Sequence, residues 1–421
     1  MKLAIFVRFY FMTDYELHTL PNGIRIVHKQ VSHTKVVHCG FMLNIGSRDE
    51  NAHLQGIAHF WEHMAFKGTN KRKAFHILNR LDAVGGELNA YTTKEKITFH
   101  ASVLDEHFEK AIELLTDITF DSIFPEKQIL KERQVILEEM AMYQDTPEDA
   151  IHDEFDYVIF GEHPMGMNIL GKPETINKFQ KNDFEKFIRN NLNTDEIVFT
   201  SVGNIPMKKV IKLANKHIAD IPQMSANRKR TAVNGYEATI TEIKRSINQS
   251  HCLVGRPAYS STDKLRLPFF LLVNLLGGPS MNSRLNLSLR EKHGLVYAID
   301  SSYASYSDTG LFGVSFATEP RQLNRSIALV KKELKTFRNT SLGINQLHTA
   351  KEQLIGQLAM SEENNASLML AMGKSMLDKG KIESLESIFD RIRKVSSAQI
   401  QQVAQEMFDE NTLSCLTYTP N

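Results

Sequence analysis

The sequence predicts an α+β chain of two tandem homologous domains, each an antiparallel β-sheet with helices packed on one face. Three observations lead there. Its 421 residues are long for one domain and natural for two of about 200 each. Stretches that alternate apolar and polar residues, as half-buried strands do, stand beside long stretches with apolar residues at helical spacing. This order occurs twice. Ile97–Val103 (ITFHASV) is followed by apolar positions at Phe108, Ala111, Ile112 and Leu115, and Leu311–Ala317 (LFGVSFA) by Leu323, Ile327, Val330 and Leu334. The next helices correspond as well, VILEEMAM at 135–142 against LIGQLAMS at 354–361, at a steady offset of about 215 residues, the mark of an internal duplication.

Between the copies, residues 223–235 (QMSANRKRTAVNG) are polar, lack periodicity and end in the turn-forming Asn-Gly pair. They are expected as the linker between a first domain at 13–222 and a second at 236–421. A connection this short predicts two halves that face each other.

Composition excludes several classes. The net charge is +1, and Lys71-Arg72-Lys73 and Arg228-Lys229-Arg230 read as solvated loops, so no nucleic-acid partner is expected. No stretch approaches the roughly 20 apolar residues of a spanning helix, so no membrane partner is expected either. Met1–Glu16 resembles a short export signal, but Arg8 interrupts its apolar run and no small-residue cleavage site follows. It is read as non-signal, with Met12 a candidate start. Cys39, Cys252 and Cys415 are odd in number, widely spread and without metal-type spacing, which fits buried thiols in a reducing compartment. A cytoplasmic protein is the simplest account.

The chemistry is concentrated in His59-Phe60-Trp61-Glu62-His63. On a helix, His59 and His63 project from one face about one turn apart, a spacing that suits two ligands of one tetrahedral metal. Glu62 lies beside them, able to act as a base without taking a coordination position. This is the zincin motif inverted. In a chain with 16 His and 49 acidic residues, the same five letters could also mark an ordinary amphipathic helix face. A third ligand decides between these. Residues 127–142 have apolar positions at 129, 130, 135, 136, 137 and 140 with charges between, a helical pattern. Glu132 and Glu139 are seven apart on one face, so one could complete a His-His-Glu set while the other accepts a hydrogen bond from a ligand histidine. Spacing leaves Glu138 and Glu139 both open as the ligand. In the second copy Gln357 stands where the first has Glu139, and Leu267–Leu276 (LPFFLLVNLL), the counterpart of the motif helix, carries neither His nor Glu, so no metal is expected there.

Nearly the whole chain resembles the inverted-zincin peptidases of the pitrilysin, insulinase and mitochondrial processing peptidase family. The likeness runs through Leu20-Pro21-Asn22-Gly23, Gly46-Ser47-Arg48-Asp49-Glu50, the run from Gly56 to Thr69, Leu88-Asn89-Ala90-Tyr91-Thr92, Glu132-Arg133-Gln134-Val135-Ile136 and the run from Leu289 to Tyr297, all in the family's order. The resemblance implies a zinc endopeptidase with His59, His63 and Glu139 as Zn2+ ligands, Glu62 as general base and Glu132 supporting a ligand. It implies that Gly85–Thr92 is an edge strand, with Asn89 and Ala90 receiving an unfolded peptide, and that Arg290 and Tyr297 hold the substrate backbone. Chains of this length resemble members that pair, so a homodimer closing like a clam shell is expected, with composite sites. The family also contains inactive partner subunits, but these typically lack part of the metal set. The small ribosyl-homocysteine lyases share an inverted motif but not the duplication.

Overall fold

The computed structural model describes residues 15–421 apart from Asn227, so the reading of the N-terminal segment and of Met12 lies outside the described residues. The first domain runs β1 Glu16–Thr19, β2 Arg25–Gln30, β3 Val36–Leu43, α1 Ile57–Ala65, α2 Ala74–Asp82, β4 Glu87–Thr92 and β5 Ile97–Leu104. It continues with α3 Phe108–Phe120, α4 Glu126–Asp145, α5 Pro147–Phe160, α6 Pro173–Ile176, α7 Lys181–Asn191, β6 Ile197–Gly203 and α8 Met207–His217. The second domain runs β7 Ile240–Arg245, β8 Ser250–Ala258, α9 Arg266–Gly277, β9 Val296–Ser305 and β10 Gly310–Thr318. It closes with α10 Leu323–Asn339, α11 Ile344–Glu362, α12 Asn365–Lys379, α13 Leu385–Lys394, α14 Ser397–Met407 and β11 Ser414–Pro420.

The duplication holds strand by strand. The sheets are ordered β1-β2-β6-β3-β5-β4 and β7-β11-β8-β10-β9, the same arrangement once β1 is set aside. The antiparallel expectation fails at one pair in each, because β2 lies parallel to β6 and β7 parallel to β11. A hairpin such as β4–β5 can only be antiparallel, whereas β6 and β11 enter mid-sheet after long helical excursions that can deliver a strand in either direction. β6 (IVFTSVG) is buried at every position, Thr200 and Ser201 included, which is why it lacks the alternation of a half-buried strand.

Helices were expected on one face of each sheet, and each domain's main core follows that plan. Phe41, Phe99 and Phe199 meet Phe60 and Trp61 in the first core, and Phe312 meets Phe269 in the second. The opposite faces are covered too, by helices from the other domain. Val27, Val198 and Val202, which alternate with the core-facing Ile26, Ile197 and Phe199, pack under Leu368, Met369, Met372 and Met376 of α12. Leu253, Leu416 and Tyr418 pack under Ala150, Ile151, Phe155 and Ile159 of α5. Each domain thus supplies the lid of its twin.

Ion pairs reinforce the exchange. Arg48 donates to both Asp308 carboxylate oxygens at 2.6 Å and to Glu95 at 2.7 Å, and Lys96 meets Asp378 at 2.6 Å. The basic residues expected in solvated loops are also engaged. Arg230 grips both oxygens of the fully buried Asp49 at 2.9 Å, Arg228 bridges Asp49 and Glu196, and Arg72 pairs with Glu113 and Asp117. Local charge patterning cannot show partners so far off in sequence. Burial alone would raise the Glu95 pKa, but Arg230, Ser307, Lys96 and Arg48 hold it below the usual carboxylate range. The three cysteines are buried free thiols, as expected. Among the described residues, no helix is long and apolar enough to cross a membrane.

Because α12 roofs the first sheet, Met372→Ala is expected to destabilise the first domain by about 2–5 kcal/mol, the usual range for such a buried truncation. Trp61, the single tryptophan, reports that domain's unfolding. A Trp61 fluorescence transition in urea left unmoved by the substitution would refute the structural role of the exchanged helix.

Candidate metal centre

α1 carries the inverted motif, and its start is fixed from three directions. Its N-cap is Gly56 at φ 92°, in the left-handed region, and a Cβ there would lie 2.5 Å from the Leu170 carbonyl oxygen. Gly56 has no side chain to cap the helix. Glu50, six residues upstream, supplies the cap by accepting from the Gly56 and Ala58 N–H groups at 2.8 Å. Ile57, Ala58, Phe60, Trp61, Met64 and Ala65 are buried, which orients His59, Glu62 and His63 as a set.

α4 is anchored by the buried stripe Ile129, Glu132, Ile136 and Met140, at three- and four-residue spacing, while Leu130 and Val135 of the expected apolar set are exposed. Two turns beyond Glu132, Glu139 reaches the histidines, whereas Glu138 is exposed. Of the two carboxylates that spacing left open, Glu139 is the one that lies beside both histidines.

His59 Nε2 and His63 Nε2 lie 3.8 and 3.5 Å from the Glu139 carboxylate oxygens, and the two rings are 4.6 Å apart between centroids. One donor atom from each residue falls within 4.8 Å of the others, and among the described residues no other group of His, Cys, Asp or Glu converges in this way. Tetrahedral zinc with ligands at about 2.0–2.1 Å sets its donors roughly 3.3 Å apart, so the spread needs only small adjustment. Burial, with His63 close by, pushes the His59 pKa down to about 3 and keeps it the neutral imidazole that ligation requires. Burial raises Glu139, against the pull of His63. The donor set fits zinc in type, number and spacing.

Around it, Glu132 accepts from His63 Nδ1 at 2.9 Å and from Lys67 Nζ at 2.8 Å. Burial opposes ionisation of Glu132, but these two bonds outweigh it and hold the carboxyl below its ordinary range. Glu62 is raised by burial, against a hydrogen bond from Thr92 Oγ1 at 2.6 Å. Lys67, Thr92 and Glu50 all lie in segments the sequence reading singled out, without being assigned a role there. Only Lys67, four residues past His63, carried a spacing signal.

Of the remaining expected site residues, Asn89 and Ala90 lie on β4, the open edge of the first sheet. Arg290 and Tyr297 fall elsewhere. Arg290 is in a π-helical segment of the second domain, near Glu291 at 3.6 Å, and Tyr297 is the second residue of β9, with 91% of its surface exposed. Among the described residues, neither bonds to the histidine cluster. Gln357, at the place of Glu139 in the duplicate, donates to Ser280.

Fold and site together define a duplicated α+β protein in which one copy alone carries an inverted His-His-Glu donor set. Residues 25–173 match the family described as Insulinase (Peptidase family M16), and residues 178–354 match the Peptidase M16 inactive domain. An uncharacterized zinc protease of Bacillus subtilis, YmxG, is 33% identical over 94% of this chain and 96% of its own. A Rickettsia bellii protein of similar description is 32% identical over 96% and 97%. The crystal structure of a peptidase M16 inactive domain from Pseudomonas fluorescens matches with a TM-score of 0.88 at 18% identity, over 97% of this chain and 98% of that one. A Helicobacter pylori protease matches at 0.87 and 20% identity, over 96% and 99%. The chain belongs to the insulinase (M16) peptidase family.

Burial pushes Glu50 up to about 8 from a reference near 4.5, against its two backbone donors and Lys94. An acid whose folded pKa exceeds its unfolded one binds more protons when folded, so its ionisation lowers stability as pH rises from about 4.5 to 8. Urea unfolding across that window should show the wild type losing stability with pH more steeply than Glu50→Gln. Equal slopes would contradict the burial of an ionising cap.

Proposed function

We propose that this chain is a zinc-dependent endopeptidase that hydrolyses unfolded peptides or oligopeptides. The observation that carries the reading is the convergence of His59, His63 and Glu139, with Glu62, held by Thr92 and outside the donor group, on the same helix as the two histidines. Relatives named as zinc proteases support it.

Zinc held by the three donors would polarise the peptide carbonyl and lower the pKa of water from about 15.7 toward 7. Glu62 takes the proton from the attacking water and passes it to the leaving amine. Glu132 fixes the ring of His63 through Nδ1, leaving Nε2 for ligation. β4, with Asn89 and Ala90, receives the substrate as an added strand, a mode that requires an extended backbone and so selects unfolded chains. Three free cysteines suit a reducing cytoplasm.

Arg290 and Tyr297 offer a guanidinium and a phenol to the substrate carbonyls and the developing oxyanion. The lack, among the described residues, of any bond from this pair to the cluster within one chain, and the exposure of Tyr297, support a homodimer in which the zinc domain of one protomer faces this pair on its partner. A non-catalytic subunit is the second reading, and the match to a domain described as inactive favours it. That match begins at residue 178, beyond His59, Glu62, His63 and Glu139, so it does not bear on the segment that carries them.

Glu62→Gln should retain zinc yet lose about 10²–10⁴-fold in turnover, whereas His59→Ala, His63→Ala or Glu139→Ala should lose the metal too. Metal analysis and a peptide-cleavage assay with and without chelator test this. Wild-type turnover by the Gln variant would sink the base assignment. Co-expressed Glu62→Gln and Arg290→Ala chains should recover roughly a quarter of wild-type activity if a two-fold dimer shares its sites in trans. No recovery would mean that each site is complete in one chain.

A further inference from the structure

We infer that Thr92 is a positioning residue for Glu62 and that it couples the base to the strand on which a substrate peptide lies. The inference rests on the peptidase reading above. Thr92 Oγ1 donates to Glu62 Oε2 at 2.6 Å, the one hydrogen bond that the described residues give this carboxylate. A glutamate with no such donor keeps the freedom of a broad, roughly two-fold terminal torsion, so the direction of its basic oxygen is unset. One fixed donor on Oε2 settles that direction and leaves Oε1 for the water.

The donor itself is well braced. Thr92 ends β4, and the turn after it is closed by Thr93 N to Lys96 O at 2.8 Å. The carbonyls of Thr93 and Lys94 accept from Ser47 N and Arg48 N at 3.1 and 2.8 Å. Gly46 lies so close that a Cβ there would come within 2.4 Å of both carbonyl oxygens. Arg48, which closes this contact, is itself locked between Glu95 and Asp308. The Thr92 backbone is therefore fixed by the domain junction, and its β-branched side chain has few rotamers to choose from.

The same residue faces the substrate strand. Thr93 N is bonded within the β4–β5 hairpin, while Ala90 N is turned away from it and is met by Asn89 Oδ1 at 2.8 Å. Strand alternation then puts the backbone N–H and C=O of Thr92, like those of Ala90, on the open edge. A peptide added to β4 bonds the backbone of the residue whose hydroxyl orients the base. Substrate alignment and base alignment thus share one rigid element.

The test compares Thr92→Val, which keeps the shape and removes the donor, with Thr92→Ser, which restores it. For Val, kcat should fall about 10–100-fold, the scale of a small misplacement of a reacting group, with KM within about twofold of wild type. Zinc content, the unfolding midpoint and the affinity of the zinc-free protein for a fluorescent extended peptide should not change, and Ser should regain most of the lost kcat. Wild-type kcat in the Val variant overturns the inference, as does a loss that Ser does not rescue or one that tracks zinc or peptide binding. If the wild-type chain shows no chelator-sensitive hydrolysis, the peptidase reading fails and this role falls with it. An active wild type with an equally active Val variant removes the Thr92 role alone.

Discussion

Three of the side chains that make up the site hang from one nine-residue helix, and the constraint on everything else is that this helix has a single way to sit. Isolated helices shorter than about 12–15 residues are marginal in water, so α1 owes its existence to its surroundings. Glu50 satisfies its first N–H groups, six apolar side chains bury it against the sheet, and Gly56 admits the Leu170–Gly171 turn at a distance closed to any larger residue. The Glu132–His63 bond then ties its open face to α4. Displacing α1 by a fraction of an ångström would separate donors that must meet within a few ångströms, which is why so much of the surrounding polar structure serves its N-terminus.

The junction between domains serves the same end. Arg48, Asp49 and Glu50 are consecutive, yet they reach in three directions: Arg48 to Asp308 of the second domain, Asp49 to the linker arginines, and Glu50 to the start of α1. Two helices are also exchanged across the sheets, so parting the domains of one chain would strip the cover from Val27, Val198 and Val202 and from Leu253, Leu416 and Tyr418. It would also leave buried charges without partners, the costlier change. Within a chain, the two domains therefore behave as one body, and the second domain contributes to the site by holding the first in shape.

How much of this was legible follows from which physical signals are local. The duplication, β5 and α4 were readable because periodicity and repetition express burial directly, whereas α1 rested on the motif and β4 on the family resemblance. The donor set was readable except for the choice between Glu138 and Glu139, since a helix turns by about 100° per residue and only the buried stripe Ile129, Glu132, Ile136 and Met140 fixes which one faces α1. Long-range partnerships were not readable. The parallel direction of β6 and β11 depends on how a long crossover returns, the exchanged lids on pairing α5 and α12 with strands of the other copy, and the burial of Arg228 and Arg230 on Asp49, about 180 residues away. Nor could composition reveal Glu50, whose role is visible only once Gly56 is known to leave the helix uncapped.

The contrast between the two copies explains why only one of them suits a cation. In the first, burial raises Glu62 and Glu139 and keeps His59 neutral, while Lys67 and His63 hold Glu132 ionised. The cluster thus contains two carboxylates that burial disfavours as anions, beside an imidazole, His59, that stays neutral, and a divalent ion would meet that deficit. In the second copy α9 carries neither His nor Glu, and Gln357 is neutral and occupied with Ser280. Nothing there calls for a counter-charge. The duplicate keeps the architecture of the fold while presenting Arg290 and Tyr297 outward, so one plan yields a cluster suited to a cation in the first copy and a surface with its own positive charge in the second.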